Sequence, residues 1–178
     1  MGNEKHNALA ARANRNGERG ATVLEAVMWM LIALVVAGSV FWGVSKAFNS
    51  FKLYRQQNDI AVVKVQIQQL YAGAPSYNGL DNTVGIHAGL FPSDMVKGTS
   101  VVNRWGGTIT LGTASSDTQF TISLSGVPRD QCPTLAQFGD DWVSVTVNGA
   151  ALTMGAGRVA SATTSCSGDS NAIVFTGR

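Results

Sequence analysis

The chain predicts an α+β protein in which a long N-terminal α-helix packs on an antiparallel β-sheet and the C-terminal region is bounded by a disulfide. Three observations carry that expectation. No proline lies between Ala21 and Ala74, and apolar residues there recur at helical spacing. Beyond Thr99 the pattern changes to short alternating runs separated by turn residues. The two cysteines, Cys132 and Cys166, both fall late in the chain. A length of 178 residues and an apolar fraction of 45% suit one packed domain with an appendage.

Residues 1–20 are polar and rich in Asn and Arg, without helical or strand periodicity, and read as a disordered leader. The formal charge of +2 comes from this segment, where Lys5, Arg12, Arg15 and Arg19 outnumber Glu4 and Glu18. The rest of the chain is balanced, so there is no electrostatic case for nucleic-acid binding. A basic leader ahead of an apolar segment predicts, by the positive-inside rule, that the following chain lies on the far side of a membrane.

The helix is expected over residues 21–72, with a membrane or assembly half at 21–48 and an amphipathic half at 49–72. From Ala26 to Ser45 no side chain is charged, and about twenty residues at ~1.5 Å each cover a hydrocarbon core of about 30 Å. Leu53, Ile60, Val63, Ile67 and Leu70 then continue one apolar face. Gly38 and Gly43 are weak points, read as sites of close helix packing or of local melting on assembly. Ala37-Gly38-Ser39 offers an alternative as an ordinary secretory cleavage site. Gly73, Ala74 and Pro75 end the helix.

Residues 73–178 are expected to form the globular domain. A glycine-rich connection runs to about Gly98. Thr108–Leu111 and Gln119–Leu124 read as a hairpin with its turn over Gly112–Asp117, and Pro128–Phe138 as a short helix begun by Pro128. Trp142–Val147 reads as a strand joined through Asn148-Gly149 to Ala151–Met154, and Ala172–Phe175 as a buried strand.

A single disulfide between Cys132 and Cys166 is the favoured pairing, beside the alternative of two free buried thiols. Closing a loop of roughly 35 residues is worth about 3.8 kcal/mol in the chain-entropy picture and points to an oxidising compartment. His6 and His87 cannot supply a zinc cluster, so no metal or other cofactor is expected. His87 has no acidic residue close in sequence, Asp140-Asp141 reads as a turn, and Gly106-Gly107 lacks phosphate-loop spacing. The chain therefore reads as non-catalytic.

Glu25 is the exception to this plain inventory, because it is the one ionisable side chain between Arg19 and Lys46. An isolated carboxylate at the head of a spanning segment costs up to roughly 2.5–3.5 kcal/mol at the bilayer centre and marks function. Cleavage after Gly20 would create an amine on Ala21, about one helical turn away, able to pair with Glu25 of the same or a neighbouring chain.

Gly20 followed by Ala21-Thr22-Val23-Leu24-Glu25 and an apolar helix resembles the processing site of type IV pilins. The long leader and the non-phenylalanine residue at Ala21 look like the type IVb branch. Tyr77-Asn78-Gly79-Leu80, Gly89-Leu90-Phe91-Pro92, Asn103-Arg104-Trp105-Gly106-Gly107 and Asn171-Ala172-Ile173-Val174-Phe175 are similar to pilins of conjugative thin pili and enterobacterial type IVb pili. The resemblance implies a cleaved leader over 1–20, Gly20 as the recognition residue of a membrane prepilin peptidase, and Ala21 as the new N-terminus, its methylation left open. It implies Glu25 as the assembly carboxylate and an exposed region bracketed by Cys132 and Cys166. It also implies a subunit held in the inner membrane with its C-terminal domain in the periplasm, then polymerised with itself by a pilus assembly machinery into an extracellular filament. Contacts with inner-membrane lipid before assembly, and with a receptor on a host or recipient cell after it, follow. The helix departs from many type IV pilins in having no proline kink. A pseudopilin of a type II secretion system, a minor tip pilin and an anchored periplasmic binding domain are the competing readings.

Overall fold

The computed structural model describes the backbone of residues 3–139 and 141–178, and their side chains apart from residues 3–22 and 40–49. The chain divides into two units, Met1–Ala47 and Phe48–Arg178. Helix α1 is assigned over Asn3–Leu70. It begins well before Gly20, which corrects the expectation of a disordered leader. The Ala8-Leu9-Ala10-Ala11-Arg12-Ala13 stretch is built from strong helix formers and contains no proline, so local propensity prevails where amphipathic periodicity is missing. At the other end Tyr71–Gly73 turn out of the helix, close to the expected stop.

In the second unit, seven antiparallel strands form one sheet in the order β1-β2-β3-β4-β7-β5-β6. Strands β1 (Val96–Lys97) and β2 (Ser100–Val102) form a tight hairpin, followed by β3 (Thr108–Ala114) and β4 (Gln119–Pro128). Strands β5 (Ser144–Val147) and β6 (Ala150–Ala151) form another, and β7 (Ser170–Gly177) closes the chain. Strand β7 inserts between β4 and β5, pairing Ile122 with Phe175 on one side and Val145 with Phe175 on the other. The centre of the sheet is therefore built around β7. Both edge strands are two residues long, which limits edge-to-edge pairing.

The β5–β6 turn follows the expectation. Asn148 and Gly149 have φ of 51° and 83°, and Val147 pairs with Ala150, as a two-residue type I′ hairpin requires. Strands β3 and β4 run further than expected: Gly112 lies inside the ladder opposite Thr121, and the turn moves to Ser115–Thr118. There Ser115, Ser116 and Asp117 all have positive φ, at about 1–2 kcal/mol each for non-glycine residues. Hydrogen bonds from Thr113 Oγ1 and Asn78 Nδ2 to the Asp117 carboxylate, and from Tyr77 N–H to the Asp117 carbonyl, hold that run.

Other boundaries differ from expectation. The short helix is α3, Cys132–Ala136, and Pro128 ends β4 instead of starting it. Ala151–Met154 is a strand only at its first residue, in β6. The connection to Gly98 contains helix α2, Asn82–His87, capped by Asp81, whose side chain accepts from Val84 N–H. A 3-10 turn at Gly155–Gly157 leads into helix α4, Arg158–Ser165.

The core takes Ile60, Val63 and Ile67 from α1 and Leu111, Phe120, Ile122, Val145, Ile173 and Phe175 from the sheet. Leu53 is partly buried against it, whereas Leu70 is 47% exposed and leaves the expected face as the helix ends. A chain of aromatic contacts runs Tyr71, Tyr77, Phe120, Trp142, Phe175, with successive ring centroids 5.0–6.3 Å apart.

The Asn103–Gly107 loop locks onto β4. The buried Asn103 side chain donates to Ser125 O and accepts from Trp105 N–H and Gly107 N–H. Gly107 passes so close that a Cβ there would lie 1.9 Å from Ser125 O, while one on Gly106 would meet open space. Gly107→Ala is expected to cost about 3 kcal/mol through forced backbone displacement, and Gly106→Ala only about 1 kcal/mol from its positive φ. Chemical denaturation of the two variants checks the order.

Candidate assembly surface

The described side chains of the first unit form an apolar surface without a cover of its own. From Val23 to Val36 the large hydrophobic residues are exposed, among them Leu24 at 73%, Trp29 at 65% and Met30 at 68%. A contiguous apolar surface of this kind marks a contact with another molecule or a membrane. Glu25 is exposed within it. Gly20 and Ala21 lie in the α1 backbone, but their side-chain surroundings fall outside the described residues, and so does the expected Ala21–Glu25 pairing. The helix continues through Gly38 and Gly43, and a Cβ on Gly38 would meet nothing within 4 Å. Among the described residues no helix is long and apolar enough to cross a membrane, and the expected Ala26–Ser45 span runs into residues 40–49.

In the second unit, two charged contacts fasten the C-terminal half of α1 to the domain. Arg104 donates from Nε to Asp59 Oδ2 at 2.7 Å and pairs through its Nη1 with Asp94, while its backbone N–H donates to the fully buried Gln56 at 3.0 Å. The Asp59 hydrogen bond, with that of Asp94, holds the Arg104 guanidinium well above its ordinary pKa. The hydrogen bond from Arg104 in turn lowers that of Asp94. On the same helix, Lys64 pairs with Asp141 and places its ammonium 4.5 Å from the Trp142 ring centroid. The Lys64 hydrogen bond lowers the Asp141 pKa. Asp140 lies outside the described residues.

The C-terminal region is held by the disulfide between Cys132 and Cys166, whose Cα atoms are 5.8 Å apart. It ties the start of α3 to the residue after α4. Asn171, buried in β7, donates to Val127 O and Gly168 O and accepts from Asn148 Nδ2, which joins the β5–β6 turn to the same region. Arg158 donates to Ala136 O, linking α4 to α3. An open groove of about 560 Å³ runs beside the disulfide, lined by Pro128, Arg129, Asp130, Pro133, Thr163 and Asp169.

His87 is exposed in the last turn of α2. Among the described residues no group of three His, Cys, Asp or Glu side chains could hold a metal ion. Sequence reading passed over Arg104, Asn103, Lys64 and Gln56 as fastening residues. The signal available for them was a charged or polar residue set among the buried positions of an amphipathic helix, and an Asn two residues before a backbone turn.

The carboxylates predict a pH dependence. Asp94 and Asp141 have folded pKa values below the ordinary 3.8, so their contribution to stability is present above that value and is lost as pH falls through the lowered ones. Asp94→Asn together with Asp141→Asn should flatten the loss of stability below about pH 4. Denaturation midpoints measured across that range check it. Removing the disulfide by Cys132→Ser with Cys166→Ser should cost about 2–5 kcal/mol, measured in the same way.

The family described as PilS N terminal matches residues 51–178. Two relatives described as the major structural subunit of bundle-forming pilus, from Escherichia coli O127:H6 and Escherichia coli O111:H-, are each 27% identical over 127 residues. Those matches cover 69% of this chain and 66% of the relatives, so the chain spans just under two thirds of their length. The crystal structure of TcpA, a type IV pilin from Vibrio cholerae El Tor biotype, superposes with a TM-score of 0.55 at 14% identity, covering 72% of this chain and 99% of that one. At that identity the likeness speaks for the fold. With its long helix, antiparallel sheet and Cys132–Cys166 disulfide, the chain has a type IV pilin-like fold and belongs to the PilS N-terminal family.

Proposed function

We propose that this chain is the structural subunit of a type IVb pilus: a prepilin held in the inner membrane, cleaved after Gly20, and polymerised through the N-terminal half of α1 into an extracellular filament for adhesion or conjugative contact. The observation that carries the reading is the exposed apolar run from Val23 to Val36 with Glu25 set inside it. Fully burying one Leu or Met side chain is worth about 1.5–3 kcal/mol. Burying many of them against neighbouring copies suffices to meet an association cost of about 4–15 kcal/mol. The kinship with major structural subunits of a bundle-forming pilus supports a self-associating role.

Three separable roles follow for the opening stretch. Gly20 is where the peptidase cuts, since a residue without a side chain admits close approach to the scissile bond. Ala21 carries the new amine, and Glu25 answers it. Apolar burial is non-directional, so it supplies cohesion without register, and a charge pair desolvated between helices supplies the register. The Phe48–Arg178 unit rides on the polymer and presents the disulfide-bounded region to receptors on other cells.

Glu25→Ala is expected to leave the subunit folded and processed but to abolish filaments, seen by electron microscopy of cells and immunoblots of sheared material. Abundant normal pili from that variant would sink the assembly mechanism. Replacing Gly20 with Trp should leave an uncut chain in the inner membrane; mature-sized subunits would count against cleavage there.

A further inference from the structure

We infer that Asn78 is a site of slow spontaneous chemical modification, converting to aspartate or isoaspartate and thereby loosening the connection between α1 and the sheet, while the second Asn-Gly pair of the domain, Asn148-Gly149, is protected by the fold. The conversion needs no enzyme. The Gly79 backbone nitrogen, having lost its proton, attacks the Asn78 side-chain carbonyl carbon; a C–N bond forms, the bond to Nδ2 breaks, and ammonia leaves. Water then adds across either carbonyl of the five-membered imide, giving aspartate or isoaspartate. A following glycine favours the attack because it has no Cβ to obstruct ring closure.

The surroundings of the two asparagines differ in what they allow. Asn78 and Gly79 are exposed at the centre of a turn closed by Leu80 N–H on Tyr77 O at 3.1 Å. Gly79 has φ of 79° and open space on its Cβ side. Among the described residues its N–H donates to nothing, which leaves the attacking atom free. The Asn78 amide makes one exposed side-chain hydrogen bond, from Nδ2 to Asp117 Oδ2 at 3.1 Å. Asn148 is fastened at both ends of its amide. Its Nδ2 donates to Ser165 O and Asn171 Oδ1, and its Oδ1 accepts from Ala172 N–H, at 2.9–3.0 Å. Its carbonyl carbon cannot rotate to the Gly149 nitrogen without breaking all three.

The consequence follows from charge. Conversion at position 78 replaces a donor facing Asp117 with a carboxylate, placing like charges where a hydrogen bond stood. Asp117 also accepts from Tyr77 N–H at 2.7 Å, and it ends the Ser115–Asp117 run of positive φ. Once repulsion replaces the Asn78 hydrogen bond, that run relaxes and the Tyr77 N–H bond opens. Subunits in a long-lived assembly would thus acquire a more mobile surface with age.

The test is to incubate the purified full-length chain at mildly alkaline pH and follow both sites by peptide mass spectrometry, with hydrogen exchange at Tyr77. The expected result is a mass gain of about 1 Da in the Asn78 peptide. Conversion at Asn148 should be at least about tenfold slower, because it waits for local opening. In denaturant the two rates should become comparable. Asn78→Gln should abolish both the mass change and the accompanying loss of Tyr77 protection. Equal or inverted rates in the folded chain would overturn the site assignment, and conversion at Asn78 with unchanged Tyr77 protection would overturn the loosening.

Discussion

An apolar helix face that its own chain leaves in solvent is the constraint on which the rest of this protein depends. Helical hydrogen bonds satisfy the backbone from Asn3 to Leu70, but the described large hydrophobic side chains from Val23 to Val36 are exposed. Such a surface has two physical outlets, lipid and other copies of itself, and the proposed life of the subunit uses them in turn. The transfer from one to the other exchanges apolar surroundings for apolar surroundings and so is nearly neutral in hydrophobic energy. Direction must then come from groups that distinguish lipid from protein. In the proposed assembly Glu25 is the group in this run that would do so, since a carboxylate can gain a partner among helices and lacks one among acyl chains.

The second unit solves a different problem, which is to hold one helix to one sheet through a small contact. Ile60, Val63 and Ile67 supply the cohesion, and the polar contacts supply the registry. Arg104 reaches Asp59, Asp94 and, through its backbone, Gln56; Lys64 reaches Asp141 and the face of Trp142. Gln56 accepts from Arg104 but leaves its buried Nε2 without a partner, a cost of about 1–3 kcal/mol set against the fastening it provides. The Asn103 loop and the Asn148–Asn171 contact repeat the device on β4 and at the β5–β6 turn. Of these, the Asn148–Asn171 contact is the one made by β7, which sits between β4 and β5.

What was legible in the sequence was periodic or chemically singular. Ile60, Val63 and Ile67 announce a buried stripe by spacing, Asn148-Gly149 announces a hairpin by the φ values it permits, and Glu25 announces itself by isolation. Much of the missed structure lacks such a signature. Helix α2 is only Asn82–His87 and contains a glycine, Gly85, whose added Cβ would lie 2.8 Å from both Leu111 and Phe91; packing put the glycine there against helix propensity. Helix α4, rich in Ser and Thr, is anchored by tertiary contacts through Arg158 and the disulfide. The N-terminal helical segment was missed for the opposite reason, since it contains good helix formers but no apolar stripe reveals it. The contacts that fasten α1 were invisible because Asp59 lies 45 residues from Arg104 and Asp141 lies 77 residues from Lys64 in sequence.

The measurement that tests the central claim most directly is the N-terminal sequence and abundance of this protein in filaments sheared from the cell surface. The account predicts that the dominant protein begins at Ala21 and retains the whole apolar run through Phe48. A chain beginning at Met1 or at Val40, or the absence of this protein from the filaments, would contradict it.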